Sequence, residues 1–356
     1  MSEAIQQKER NVTPPDPDLT SRFHAACPDG FFVDPRQPAA LAGWLASRGL
    51  IATPEAITEV APAGDGNMNL TLRVRHAGGS LIVKQARPWV EKYPQIEAPV
   101  DRSLVEGAFF AFLAEEPPAQ RLPNLLHRSE PDRILVLEDL GDARDLTGLY
   151  RRPELDPADL DALLEWLAEL HAVSSRRSPP PIFVNRALRE LNHAHIFAIP
   201  FAADNGIDLE GWIPGLGELA AEWCSSRDRL AVIQALGERY LEPGPVLLHG
   251  DFHFASILRA ERGLTVIDPE FCILGAPELD YGQLLAHIAF AGLGDAARER
   301  TLEAAESAGR DRAEVERYAG VELARRLLGV ARIPELPVTL ERARALLDEA
   351  ARRLAA

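Results

Sequence analysis

Val246-Leu-Leu-His-Gly-Asp-Phe-His253 and, shortly after it, Leu264-Thr-Val-Ile-Asp-Pro-Glu-Phe271 decide how this chain is read. Each runs from an apolar, strand-like segment into a short acidic motif: His249-Gly-Asp251 in the first, Asp268-Pro-Glu270 in the second. The alternation and the turn-forming Gly250 predict a β-hairpin around 246–268 that presents Asp251 and Asp268 at one end. Two carboxylate clusters so placed suit phosphoryl transfer. Asp251 takes or orients an attacking hydroxyl, and Asp268 with Glu270 holds a Mg²⁺ ion on the phosphates of a nucleotide. Ser256 stands where protein kinases carry a metal-binding Asn and is a weaker ligand. His253 reads as structural. Asp280, opening the next helix, reads as a buried cap that ties the loop.

Upstream, the period-two runs Ala56–Val60, Leu70–Val74, Leu81–Val83 and Ile134–Leu137 predict strands, and 101–116 predicts a helix. Gly64-Asp-Gly-Asn-Met-Asn69 lacks the Gly-x-Gly-x-x-Gly spacing. Its Gly66 and Asn67 still tolerate positive φ, so it is a candidate phosphate-covering loop with Asn67 as a side-chain donor. Lys84 ends the third strand and Glu106 lies on the following helix, placed to pair with an ammonium group. That is the strand-lysine and helix-glutamate arrangement of kinases, in which the lysine contacts nucleotide phosphates. Glu138-Asp139-Leu140 ends the last strand and reads as a hinge whose backbone binds adenine.

Downstream, helices are predicted at 157–173, 186–197, 215–241, 280–291, 295–309, 312–331 and 339–355, interrupted only by the hairpin. Arg325-Arg326 lies in the middle of one of them; paired arginines are usually solvated, and the alternative is that one faces the cleft and binds an anion or a sugar hydroxyl. The expected architecture is α+β and two-lobed. It has a mobile N-terminal arm (1–30), a β-rich ATP-binding lobe (31–138) and a helical catalytic and substrate lobe (139–356).

Composition sets the bounds. The 356 residues carry a formal net charge of −16 and a pI near 5.1, which argues against a nucleic-acid or anionic-membrane partner. Cys27, Cys224 and Cys272 are too scattered for a disulfide framework or a zinc site. No apolar run reaches the ~18 residues of a membrane span, so a cytoplasmic protein is expected.

Taken together, these residues resemble the aminoglycoside-phosphotransferase-like kinases of the protein-kinase-like superfamily, and within them the 5-methylthioribose kinases. The resemblance runs through Gly64–Asn69, Val83-Lys-Gln-Ala86 with Pro88, Glu138–Leu140, His195-Ile-Phe197, Asn205-Gly206, Pro214-Gly-Leu216, His249–Asp251, Ser256-Ile257, Asp268-Pro269-Glu270-Phe271, and Arg325-Arg326 with Gly329. It implies ATP and Mg²⁺ as cofactors. It places Asn67, Lys84, Glu106, Glu138, Asp139, Leu140, Asp268, Pro269 and Glu270 around ATP, and Asp251 with Arg325 or Arg326 at the acceptor. It further implies a sugar acceptor phosphorylated at its 1-hydroxyl in methionine salvage, and a homodimer. The rivals are a kinase for another sugar, an amino alcohol or an aminoglycoside, and a nucleotide-binding pseudokinase.

Overall fold

The computed structural model describes residues 17–64 and 68–356. The chain divides into two compact units, the first made of residues up to 103 with 126–137, the second of 104–125 with 138–356.

The first unit opens with helices α1 (Pro17–Ala26) and α2 (Pro38–Ser47), followed by strands β1 (Ile57–Pro62), β2 (Leu70–His76), β3 (Gly79–Gln85), β4 (Trp89–Val90) and β5 (Tyr93–Glu97). Helix α3 (Arg102–Leu113) leads out of it, and β6 (Leu125–Ser129) and β7 (Ile134–Glu138) complete its five-stranded sheet, in the order β1-β2-β3-β7-β6. Strands β2 and β3 form a hairpin registered from Leu70↔Gln85 to His76↔Gly79. Alternate residues Leu72, Val74, Leu81, Val83, Ile134 and Val136 bury one face of the sheet against Leu41, Trp44 and Leu45 of α2. Each such side chain contributes roughly 1.5–3 kcal/mol on burial.

Two buried polar side chains stitch the loops of this unit. Gln85 donates to the carbonyls of Phe31 (2.7 Å) and Asp132 (2.9 Å) and accepts from the Val33 amide (3.0 Å). Arg102, 1 % exposed, donates to Asn69 Oδ1 (2.8 Å) and to the carbonyls of Met68, Arg87, Trp89 and Pro99. It therefore anchors the downstream end of the glycine-containing loop.

The second unit contains β8 (Arg144–Asp145), helices α4 (Pro157–Arg176), α5 (Arg186–His193), α6 (Leu216–Cys224) and α7 (Arg227–Leu241), and strands β9 (Val246–Leu248), β10 (Ile257–Ala260), β11 (Gly263–Val266) and β12 (Ile273–Gly275). Helices α8 (Glu278–Ala291), α9 (Gly294–Ser307), α10 (Arg312–Leu328) and α11 (Leu340–Leu354) close it. Helix α8 is buried along almost its whole length and packs closely on α10. Gly282 permits the approach, because a Cβ there would lie 2.5 Å from Tyr318 Cβ.

Four expectations are corrected. Residues 17–26 of the expected mobile arm form a helix whose Phe23 is fully buried with Cys27 and Trp89; residues 1–16 lie outside the described residues. Residues 104–125, expected in the first lobe, group with the second unit. The helix expected over 215–241 is two helices, since the Ser226 side chain turns back to cap α7 by accepting from the Arg229 amide. The predicted pairing of 246–248 with 264–267 does not form. Strand β9 pairs antiparallel with β12, while β11 pairs with β10 and β10 with β8. Closing a tight hairpin across Glu261-Arg262 costs less chain entropy than bridging from 248 to 264, and Gly263 at φ +109 provides its turn.

Arg102→Ala should lower unfolding stability by about 3 kcal/mol, because several buried acceptors lose their donor at once. Arg102→Lys should rescue little, since one ammonium cannot reproduce the guanidinium fork. Chemical denaturation reads this, and a loss below about 0.5 kcal/mol, as at an ordinary surface site, would contradict the anchoring role.

Candidate active site

The His249-Gly-Asp251 loop leaves β9 and is held from one face of α8. Asp280 Oδ2 accepts from the His249 amide and from His171 Nε2, both at 2.9 Å, and Oδ1 accepts from the Gly250 amide at 2.9 Å. Gln283, one turn on, accepts from the Phe252 amide and donates to the Gly250 carbonyl, each at 2.9 Å. An i,i+3 pair on one helix therefore fixes four backbone groups of residues 249–252. Phe252 stacks on Trp166 at 5.4 Å and 7°, and Phe254 packs on Tyr150. These bulky rings form the floor of the loop.

The second acidic motif adjoins this loop although the strands leading into the two motifs, β9 and β11, do not pair with each other. Gly250 sits at φ +84, and a Cβ there would lie 2.2 Å from the Phe271 carbonyl oxygen. Only glycine combines that backbone angle with that approach. His249 Nε2 donates to the Ile267 carbonyl (3.0 Å), and the Ile267 amide donates to the Ser256 carbonyl (2.9 Å). Asp268 follows in the left-handed region (φ 59, ψ 49). A non-glycine residue there costs roughly 1–2 kcal/mol, and such strain concentrates at functional positions.

Around Asp251 the charges interlock. Oδ1 faces Arg326 Nη2 at 3.1 Å and Arg325 Nη2 at 3.7 Å. Oδ2 accepts from His253 Nε2 at 3.1 Å, and His253 Nδ1 accepts from the Ala255 amide at 3.1 Å, so Nε2 is the nitrogen that donates to Asp251. Glu322 holds both arginines: Oε2 accepts from Arg325 Nε (2.5 Å), and Oε1 from Arg325 Nη2 (2.9 Å) and Arg326 Nε (2.6 Å). His287 Nε2 also donates to Oε1 at 3.3 Å, and the Tyr150 hydroxyl donates to His287 Nδ1. Burial raises the Asp251 carboxyl, but His253 and the two arginines outweigh it and hold it well below the usual carboxylate range. Glu322 behaves alike: burial raises it, and Arg325 and Arg326 pull it well down. His287 is pushed down to about 3, chiefly by burial.

The other candidate residues distribute as follows. Lys84 is buried in β3 of the first unit, opposite Thr71 on β2. Glu106 is buried on α3 within the second unit's residues. Glu138 also belongs to the second unit, and its carboxylate accepts from the amide and side chain of Asn124 and from Arg262. Asp139 Oδ1 accepts from the Gly141 amide at 3.1 Å, and Leu140 is half-buried. Asn67 lies outside the described residues. Asp268 is exposed, Pro269 and Glu270 are buried, and the three form a tight turn.

Ser256 Oγ donates to the Asp251 carbonyl at 2.9 Å, so this hydroxyl also ties the loop. Among the described residues, no three His, Cys, Asp or Glu side chains group to hold a metal ion. Two carboxylates nevertheless fit Mg²⁺, which completes its shell with phosphate and water oxygens. The arginine pair, expected to offer one member to an acceptor, also engages Asp251 and Glu322. Sequence reasoning passed over Glu322, Gln283, His171, His287 and Tyr150. Of these only Glu322 left a readable signal, three and four residues before the arginines on one helix face.

The buried acids and His287 set a pH dependence. The unfolded chain takes a proton on histidine near pH 6.5 and on carboxylates near pH 4, whereas the folded groups resist protonation. More protons bind to the unfolded state, so stability is full above about pH 6.5 and is lost as pH falls toward about 3. Denaturation midpoints measured between pH 7 and 4 should fall steadily, and His287→Gln should flatten the upper part of that slope. An unchanged slope would contradict the assignment of His287 as buried and neutral.

The sequence pattern of the phosphotransferase enzyme family matches residues 59–318. A methylthioribose kinase of Exiguobacterium sibiricum is 29% identical over 254 residues, covering 67% of this chain and 62% of its own length. One of Yersinia enterocolitica is 28% identical with the same coverage, so the match spans 62% of the length of these curated relatives. Among solved structures, a choline kinase from Cryptosporidium parvum superposes with a TM-score of 0.55 at 13% identity, covering 88% of this chain and 92% of that one. A choline kinase from Streptococcus pneumoniae gives 0.52 at 14%, covering 88% and 97%. These two establish likeness of fold. The matched span begins in β1 and ends in α10, taking in the loop, the Asp268 turn and Glu278–Ala291 between them; the chain belongs to the phosphotransferase enzyme family and has a protein-kinase-like α+β fold.

Proposed function

We propose that the chain is an ATP-dependent small-molecule kinase that phosphorylates a sugar hydroxyl, with the 1-hydroxyl of 5-methylthioribose or a close analogue as acceptor. The observation that carries this reading is the pinned Asp251 carboxylate beside the strained Asp268 turn. The named activity of the curated relatives supports the acceptor class.

Asp251 is held ionised by His253 and the arginines, so it is a weak base. Its work is to accept a hydrogen bond from the acceptor hydroxyl, aim that oxygen at phosphorus, and take the proton late, as a loose transition state allows. Asp268 and Glu270 would hold Mg²⁺, which when bound neutralises charge on the phosphate oxygens. Lys84 would add positive charge at the phosphates. Asn67 would cover them, and the 138–140 segment would take the adenine through its backbone. The catalytic gain is positioning and electrostatics rather than covalent chemistry.

Asp251→Asn should cut turnover by about 10²–10⁴-fold while nucleotide affinity stays nearly constant. Stopped-time assays of ADP release, with calorimetry of nucleotide binding, check both halves. Wild-type turnover in the variant would refute the role given to Asp251. A panel of acceptors (5-methylthioribose, other pentoses, choline, an aminoglycoside) assigns the substrate class, and nucleotide binding without transfer to any of them would favour a pseudokinase.

A further inference from the structure

The two neighbouring arginines are not equivalent. Arg326 engages all three of its nitrogens: Nε on Glu322 (2.6 Å), Nη1 on the Ala331 carbonyl (3.3 Å) and Nη2 on Asp251 (3.1 Å). Arg325 donates Nε and Nη2 to Glu322, but its Nη1 makes no hydrogen bond among the described residues, on a residue only 5 % exposed. A largely buried guanidinium with an open pair of N–H groups is costly unless something fills it.

Near it stands His195, in the π-helical turn Ala194–Ala198 that continues α5 and packs on α10, the helix that carries Arg325. Single π turns inside helices are frequent at functional sites. This one is wedged between neighbours, since a Cβ on Gly237 of α7 would lie 2.9 Å from Phe197 Cβ, and one on Gly329, just after α10, 3.1 Å from the Pro200 ring. The His195 ring is half-buried and also makes no hydrogen bond among the described residues. Burial, and then the nearby Arg325 charge, hold its pKa below the usual value. It is therefore neutral at neutral pH and can both donate and accept.

The local charge is balanced, since Asp251 and Glu322 offset Arg325 and Arg326. A cationic acceptor would meet a guanidinium N–H with no surplus negative charge to draw it in. An uncharged polyol meets a donor on Arg325 and a donor–acceptor on His195, which suits two neighbouring hydroxyls.

We propose that His195 is a specificity-determining residue that, with Nη1 of Arg325, grips two adjacent hydroxyls of an uncharged sugar acceptor and disfavours amino alcohols. This rests on the kinase reading above, in that it places the acceptor at Asp251. The test uses the full chain and titration calorimetry without nucleotide, with 5-methylthioribose, its 2-deoxy and 3-deoxy analogues, and choline as probes. His195→Ala should weaken sugar binding by roughly 10–100-fold and erase most of the wild type's preference for the intact diol. In turnover assays it should raise the KM for sugar and leave the KM for ATP unchanged. His195→Asn, which keeps a donor and an acceptor, should recover part of the loss. Unaltered affinity and diol preference in His195→Ala would overturn the proposal, as would a wild type that binds choline more tightly than the sugar or binds no polyol. If His195→Ala fails to fold, the wild-type deoxy series and His195→Asn still decide. Sugar binding without phosphate transfer would sink the kinase reading alone, whereas transfer that ignores the His195 variants would sink this proposal alone.

Discussion

A single buried carboxylate organises the catalytic half of this protein. Asp280 is fully buried and accepts three hydrogen bonds, two from successive amides of the loop and one from His171. An unpaired carboxylate at that depth would be strongly disfavoured, so the helix and the loop are bound to each other by the cost of separating them. Gln283 doubles the tether, and Gly250 lets the tethered backbone press on Phe271. Asp251 is thereby fixed by groups that do not touch a reacting atom, which is how a positioned carboxylate is made rigid enough to aim a hydroxyl.

Behind Asp251 lies a second layer whose logic is charge balance. Glu322 sits between two arginines and a neutral histidine, and the Tyr150 hydroxyl fixes the tautomer of that histidine. The chain Tyr150–His287–Glu322–Arg326–Asp251 connects a fully buried ring to a partly exposed carboxylate. Each polar group in it is satisfied by the next, so breaking one link leaves a neighbour uncompensated. The His253 ring stacks on His287 with centroids 4.9 Å apart and closes the arrangement on the other side of Asp251.

Much of this was legible in the sequence, and the reasons for the rest are physical. The strands at 70–76, 79–85 and 134–138 and the helices at 157–176 and 278–291 follow from periodicity, because one face of each must be buried. The two acidic motifs were visible as residues, and their adjacency is real. The hairpin expected to create it is not, because Val246–Leu248 and Gly263–Val266 are both apolar strands and nothing local says which partner each will choose. The tie from His171 to Asp280 joins residues 109 apart in the chain, and the anchors of Arg102 are mostly backbone carbonyls, which carry no side-chain signature. The π turn at His195 shows as ordinary helix in a pattern of apolar residues. The arginine pair was visible as residues, and the geometry then separated its two members by their hydrogen bonds.

The account stands or falls on Asp280 as the fixture of the loop, and the direct measurement is the turnover of Asp280→Asn on protein shown by calorimetry to be folded. The amide replaces one acceptor oxygen with a donor that faces other donors, so the account predicts a loss of turnover on the order of 10²-fold or more, the scale expected when a catalytic group is slightly misplaced, with nucleotide binding preserved. Near-normal turnover in a folded Asp280→Asn protein would contradict it.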